Sequence, residues 1–159
     1  FLWARATEDR RQLWKMRHEA YRAILASRPG ATAIVTDVCV PISALAQAVE
    51  ETRADIAASG LPGPILGHVG DGNFHAILLV NPADAGEKDK AKALATRMAE
   101  RSLRLGGTIT GEHGIGFGKL PLMAAEHGAA WTIMGHIKRA LDPHDLMNPG
   151  KLVPQPKVR

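Results

Sequence analysis

The stretch GHVGDGNFHAILLV, Gly67 to Val80, decides how this chain folds. Asp71-Gly72 is the strongest short hairpin signal in the sequence, because the glycine supplies the positive φ that a tight turn demands. The apolar runs on either side, PILGHVG and NFHAILLV, predict two antiparallel strands. With Asp71 and Gly72 as a two-residue turn, Gly70 pairs with Asn73, Val69 with Phe74 and His68 with His75. The two histidines then oppose each other on one face of the sheet, with Cβ atoms roughly 4.5–5.5 Å apart. Two imidazoles at that separation can share a metal ion, or they can be a structural pair satisfied by hydrogen bonds.

Outward from the hairpin, TAIVTDVCV (Thr32 to Val40) is short and β-branched, so it predicts a strand. Pro41 fits the first turn of a helix that runs through ISALAQAVEETRADIAAS to Gly60. A second long helix lies in NPADAGEKDKAKALATRMAERSLRLGG and is closed by Gly106-Gly107. TITGEHG then predicts a short strand running into a glycine-rich loop. Before all this, Leu2 to Ala26 carries apolar residues at helical spacing (Leu13, Met16, Ala20, Ile24), and SRPG ends it. After it come further helical pattern and an irregular tail, LDPHDLMNPGKLVPQP. The order from Thr32 is β-α-β-β-α-β. It predicts an α+β fold of the ferredoxin-like kind, one antiparallel sheet with two helices on one face, plus an added N-terminal helix and C-terminal helices.

Composition narrows the function classes. The 159 residues suffice for one domain with a real core, and 45% hydrophobic content fits a soluble globular protein. No apolar run approaches the ~20 residues that span a bilayer, and the charged start does not read as a signal peptide. A single cysteine, Cys39, cannot form an internal disulfide, so secretion is not indicated. These features lead to the expectation of a cytoplasmic protein. The net charge of +4 is dispersed among acids, with no basic stripe or stacking aromatic set, so no nucleic-acid partner is expected. The chain opens at Phe1, inside helical pattern, and reads as one domain, a fragment of a longer polypeptide.

A third ligand strengthens the metal reading of the histidines. Glu112, in TGEHGIG, falls at the end of the fourth expected strand, in the same sheet as the hairpin. His68, His75 and Glu112 make a three-ligand set that leaves coordination positions open. His113 would point elsewhere and stay available as a base. His18, His127, His136 and His144 have no such partners and read as surface or packing residues. GEHGIGFGK is not a phosphate loop, because His113 stands where the first glycine is needed and Leu120 follows the lysine.

The same stretches, GHVGDGNFH, GTITGEHGIGFGK and LDPHDLMNPGK, resemble the C-terminal domain of FAD-linked oxidases of the vanillyl-alcohol-oxidase type. Within that family TDVCVPIS and HAILLVNP look most like D-lactate dehydrogenases, with glycolate oxidases and D-2-hydroxyglutarate dehydrogenases as relatives. The resemblance implies that residues 1–159 are a single C-terminal domain that caps an FAD domain elsewhere in the parent protein, and it leaves open a place for the parent enzyme peripheral to the inner membrane. It implies that His68, His75 and Glu112 bind a divalent metal, usually zinc, sometimes manganese or iron. His113 would take the 2-hydroxyl proton as hydride passes to flavin, Arg17 would pair with the substrate carboxylate, and Asn148 would lie near the flavin. Ile77, where relatives acting on 2-hydroxyglutarate tend to carry a polar residue, suits a short 2-hydroxy acid such as lactate. The isolated domain is expected to be inactive and to self-associate weakly through the face that met the flavin domain. The alternatives are a free-standing metal-binding module or metal-dependent hydrolase, and an interaction domain whose histidines are structural.

Overall fold

A computed structural model describes residues 3–153. Leu2 and the end of the tail, residues 154–159, lie outside them. The first helix, α1 (Thr7–Ala26), is followed by β1 (Thr32–Val35), β2 (Val38–Cys39) and α2 (Ile42–Ser59). The hairpin strands are β3 (Ile65–His68) and β4 (Asn73–Val80), and α3 (Ala85–Arg104) follows. The chain closes with α4 (Met123–His127) and α5 (Ala129–Leu141).

β4 is the centre of a four-stranded antiparallel sheet, and all eight of its residues are buried. Its alternate side chains Phe74, Ala76, Leu78 and Val80 enter the core with Ala48 of α2 and Ala91, Leu94, Met98 and Ala99 of α3. In α3 the buried positions 91, 94, 98 and 102 recur every three or four residues, the spacing of one helix face. Burying one such leucine contributes about 1.5–3 kcal/mol. Asp84 caps α3 by accepting from Glu87 N, and Gly60 ends α2 with φ +72°. Arg101 of α3 donates to both Glu51 and Asp55 of α2, which pins the two helices side by side. Hydrogen bonds from Gln47, Arg101 and Arg104 hold the Glu51 carboxyl down at about 2, so this tether stays charged at neutral pH. The other face of β4 carries Asn73, His75, Ile77 and Leu79, and there the site is built.

The expected α+β class is observed, while a regular ferredoxin-like sheet is not. The strand expected over Thr32–Val40 is broken at Thr36-Asp37, although β1 and β2 keep one register on β4. The last expected strand shrinks to a single bridge between Thr108 and Cys39. The following amides are taken by a carboxylate rather than by the ladder, so Glu112 sits in a loop and not at a strand end.

The hairpin register also differs from the two-residue turn. Val69–Asp71 forms a 3₁₀ turn, and β3 pairs His68 with Asn73 and Leu66 with His75. Gly72 closes the turn at φ +75° with its backbone against Val40, where a Cβ would stand 2.0 Å from the Val40 carbonyl oxygen. A slip of two positions leaves every side chain on its original face. His68 and His75 are therefore diagonal neighbours rather than opposed ones, and still share a face. α1 begins at Thr7, later than expected, and buries no residue.

Candidate functional site

His75 is the most constrained side chain of the site, and its constraint originates in the break between β1 and β2. Thr36 N donates to Ala76 O (3.0 Å) as a ladder requires, but Ala76 N donates to Thr36 Oγ1 (2.7 Å). The hydroxyl takes the place of the Thr36 carbonyl, which is thereby released to accept from His75 Nδ1 at 3.0 Å. With Nδ1 committed as a donor, neutral His75 presents the lone pair of Nε2. That nitrogen lies 3.0 Å from Glu112 Oε1.

Two further imidazoles converge on the same oxygen. His68 Nε2 is 3.5 Å from Glu112 Oε1, and His113 Nε2 is 3.9 Å from it. The His113 ring stacks on that of His75, centroids 4.9 Å apart and planes within 8°. The His68 ring stands edge-on to His75 at 6.1 Å. Arg17, reaching from α1, places Nη2 3.0 Å from His68 Nε2. The expectation that His113 points elsewhere is thus corrected: stacking on His75 keeps it beside the cluster, half in solvent.

Asn148 is not part of this group. It adopts φ +49° in the C-terminal segment and lines an apolar groove of about 670 Å³ with Ile115, Met134, Ile137 and Met147. The groove starts at Gly114, the residue after His113, so the two places adjoin. A smaller cavity of about 330 Å³ opens beside the cluster, lined by Cys39, His68, Asp71, Asn73, Gly111 and Glu112.

The donor set fits a divalent cation. With His75 neutral, the lone pair of Nε2 facing a carboxylate oxygen at 3.0 Å sets two acceptors against each other, which a proton or a metal cation between them relieves. One ligand atom from each of His68, His75 and Glu112 falls within 4.8 Å of the others. Tetrahedral coordination with bonds of ~2.0–2.2 Å needs ligand atoms roughly 3.3–3.6 Å apart, and His75 Nε2 and His68 Nε2 stand 3.0 and 3.5 Å from Glu112 Oε1.

The sequence pattern passed over the residue that organises the site. Asp37 is 1% exposed. Its Oδ2 accepts from the backbone N–H groups of Gly111, Glu112 and His113 (3.0, 3.0 and 2.7 Å) and from Thr110 Oγ1 (2.8 Å). Its Oδ1 accepts from Asn73 Nδ2 at 2.8 Å. Lys119 Nζ donates to the Asp37 carbonyl at 2.9 Å and lies 3.5 Å from Oδ2. Burial alone would push this carboxyl up, but the N–H donors of His113 and Glu112, with Asn73 and Thr110, hold it well below the usual range. Burial pulls the Lys119 ammonium down, and Asp37 opposes that. Gly111 has to be glycine, since a Cβ there would meet Asn73 Nδ2 at 1.9 Å. Asn73 Oδ1 is buried with no hydrogen-bond partner among the described residues. The available signal was TDV itself, two polar residues inside a β-branched run.

Thr36 offers a direct check on this reading. Thr36→Val removes the hydroxyl that stands in for the carbonyl, so the ladder closes and His75 Nδ1 loses its acceptor. Losing such an outer partner is expected to weaken metal binding about 10–100-fold. Competition with a chromophoric chelator measures it, and an unchanged affinity would refute the role given to the strand break.

Fold and site together define a class: residues 1–152 match the family described as FAD linked oxidases, C-terminal domain, and the chain belongs to it. Among curated proteins it is similar to a probable mitochondrial D-lactate dehydrogenase of Danio rerio, 49% identical over 96% of this chain and 31% of that protein. A mitochondrial D-lactate dehydrogenase (cytochrome) of Arabidopsis thaliana is 42% identical over 97% of this chain and 27% of its own length. The glycolate oxidase subunit GlcD of Bacillus subtilis is 31% identical over 94% and 32%. The chain spans about a third of the length of these relatives. Among the described residues no helix is long and apolar enough to cross a membrane.

Proposed function

We propose that this chain is the substrate- and metal-binding domain of an FAD-dependent D-2-hydroxyacid dehydrogenase. The enzyme would oxidise D-lactate, or a similarly short 2-hydroxy acid, to the 2-oxo acid while hydride passes to flavin. The observation that carries the reading is the convergence of His68 and His75 on one oxygen of Glu112, with the second nitrogen of His75 already committed. His68, His75 and Glu112 hold the divalent metal, zinc first, with manganese or iron as the other candidates. When bound, the metal polarises the substrate hydroxyl and lowers its pKa.

The remaining roles belong to this chain's own side chains. His113 takes the hydroxyl proton at Nε2, since imidazole is the side chain suited to proton transfer near neutral pH. Arg17 offers its planar pair of donors to the substrate carboxylate, turning from His68 to do so. Ile77, buried on the face of β4 that carries His75, leaves no polar group there for a second carboxylate. Asn148 and its apolar groove face the flavin, which the flavin domain of the same protein carries. Exposed Ile137, Leu141, Leu146 and Met147 would pack on that partner, and the isolated domain's weak self-association would use the same surface.

Metal analysis of the intact flavoprotein, before and after chelation, tests the reading. About one divalent ion per chain is expected, with D-lactate-driven flavin reduction lost on chelation and restored by the ion. Full turnover in metal-free protein would overturn it. Cell fractionation decides between the cytoplasmic place expected from the sequence and the mitochondrial one that the relatives' names carry.

A further inference from the structure

A loop that bears two reactive side chains needs something to hold it, and Thr110–Gly114 has no ladder partner to do so. What it has is one carboxylate oxygen. Asp37 Oδ2 collects three successive backbone N–H groups and the Thr110 hydroxyl, while Thr110 Oγ1 also accepts from Gly114 N at 3.0 Å. The loop is thereby wrapped around a single buried point. Charge-assisted bonds of this kind are about twice as strong as neutral ones. The other oxygen, through Asn73 Nδ2, ties the same point to β4, two residues from His75. The carbonyl that orients His75 belongs to Thr36, the neighbour of Asp37. Three of the residues proposed to act, His75, Glu112 and His113, therefore take their positions from one short segment.

We propose that Asp37 is a positioning residue of this site, fixing the 110–114 loop so that Glu112 and His113 face His75, with half-buried Lys119 as its counter-charge. The inference deepens the function proposed above and rests on it for the identity of the ligand, though not for the geometry. Asparagine cannot replace Asp37 here. The loop N–H groups and Asn73 Nδ2 demand an acceptor at both oxygens, and an amide offers only one.

The test uses the intact flavoprotein, with Asp37→Asn and the charge-balanced pair Asp37→Asn/Lys119→Met. The pair is needed because the single change leaves half-buried Lys119 with the residue-37 carbonyl but without a facing carboxylate, and lowers stability by that route alone. Three quantities are read: thermal midpoint, zinc affinity by chelator competition, and amide hydrogen exchange at Gly111, Glu112 and His113. The balanced pair is expected to recover most of the midpoint lost by Asp37→Asn. It should still bind zinc about 10–100-fold more weakly than the parent and exchange the three loop amides at least about tenfold faster. Recovery of loop protection together with the midpoint would overturn the proposal, leaving Asp37 a mere counter-charge for Lys119. Because exchange is read without metal, a parent protein that binds no zinc would sink the functional reading while the exchange result still decides this one.

Discussion

Substituting His113 by alanine in the intact flavoprotein is expected to lower the rate of flavin reduction by D-lactate about 10²–10⁴-fold, the usual worth of a positioned acid–base group. Flavin content and zinc affinity should stay near those of the parent. The reason lies in the geometry: His113 stacks on His75 and stands 3.9 Å from Glu112 Oε1, outside the three closest donors. Its backbone N–H, not its ring, is what Asp37 holds, so alanine keeps the loop anchored. Rapid-mixing measurement of flavin bleaching reads the effect. Simultaneous loss of metal would mean that the ring is a ligand, and an unchanged rate would remove His113 from the chemistry.

His75→Ala should have the larger effect on the metal. Its Nε2 is the nitrogen nearest Glu112 Oε1, and it alone of the three clustered histidines is buried. Deleting an outer partner of a ligand costs about 10–100-fold, so loss of the ligand itself should exceed ~100-fold in affinity. Flavin reduction should fall in step. His68, half-exposed and shared with Arg17, makes the informative comparison. A His75→Ala protein that retains stoichiometric metal at micromolar protein would contradict the assigned ligand set.

What was legible in the sequence was whatever local pattern determines. The bounds of β4 follow from an apolar run flanked by a glycine and by Asn81-Pro82, and the ends of α2 and α3 lie where glycines stop them. The register of β3 was not legible. Asp71-Gly72 signals a tight turn, but the 3₁₀ turn is selected by the contact of Gly72 with Val40, thirty-two residues away in sequence. The direct opposition of His68 and His75 was lost, but a two-residue slip preserves the face, so the two still lie together. His68, His75, Glu112 and His113 could be named because their side chains are chemically conspicuous. Asp37 could not, because an aspartate in a β-branched run does not reveal that four donors from residues 110–113 will close on it. Thr36 was equally silent, since nothing in a threonine says that its hydroxyl will replace its own carbonyl.

The first helix buries none of its residues, and Arg17 reaches the cluster from that loosely held support. In terms of local unfolding, the molecule has two tiers. By their burial, β4, α3 and the Asp37 anchor are expected to open only at a cost near that of global denaturation, and α1, none of whose residues is fully buried, at a small fraction of it. The guanidinium that would recognise a carboxylate thus rides on the least cooperative segment, and the residues that would hold metal and move a proton sit on the most cooperative one. Anything that packs against α1 would also set how much of the time Arg17 is in place. Substrate capture would then be tuned by the stability of one helix, independently of the more deeply buried platform proposed for the chemistry.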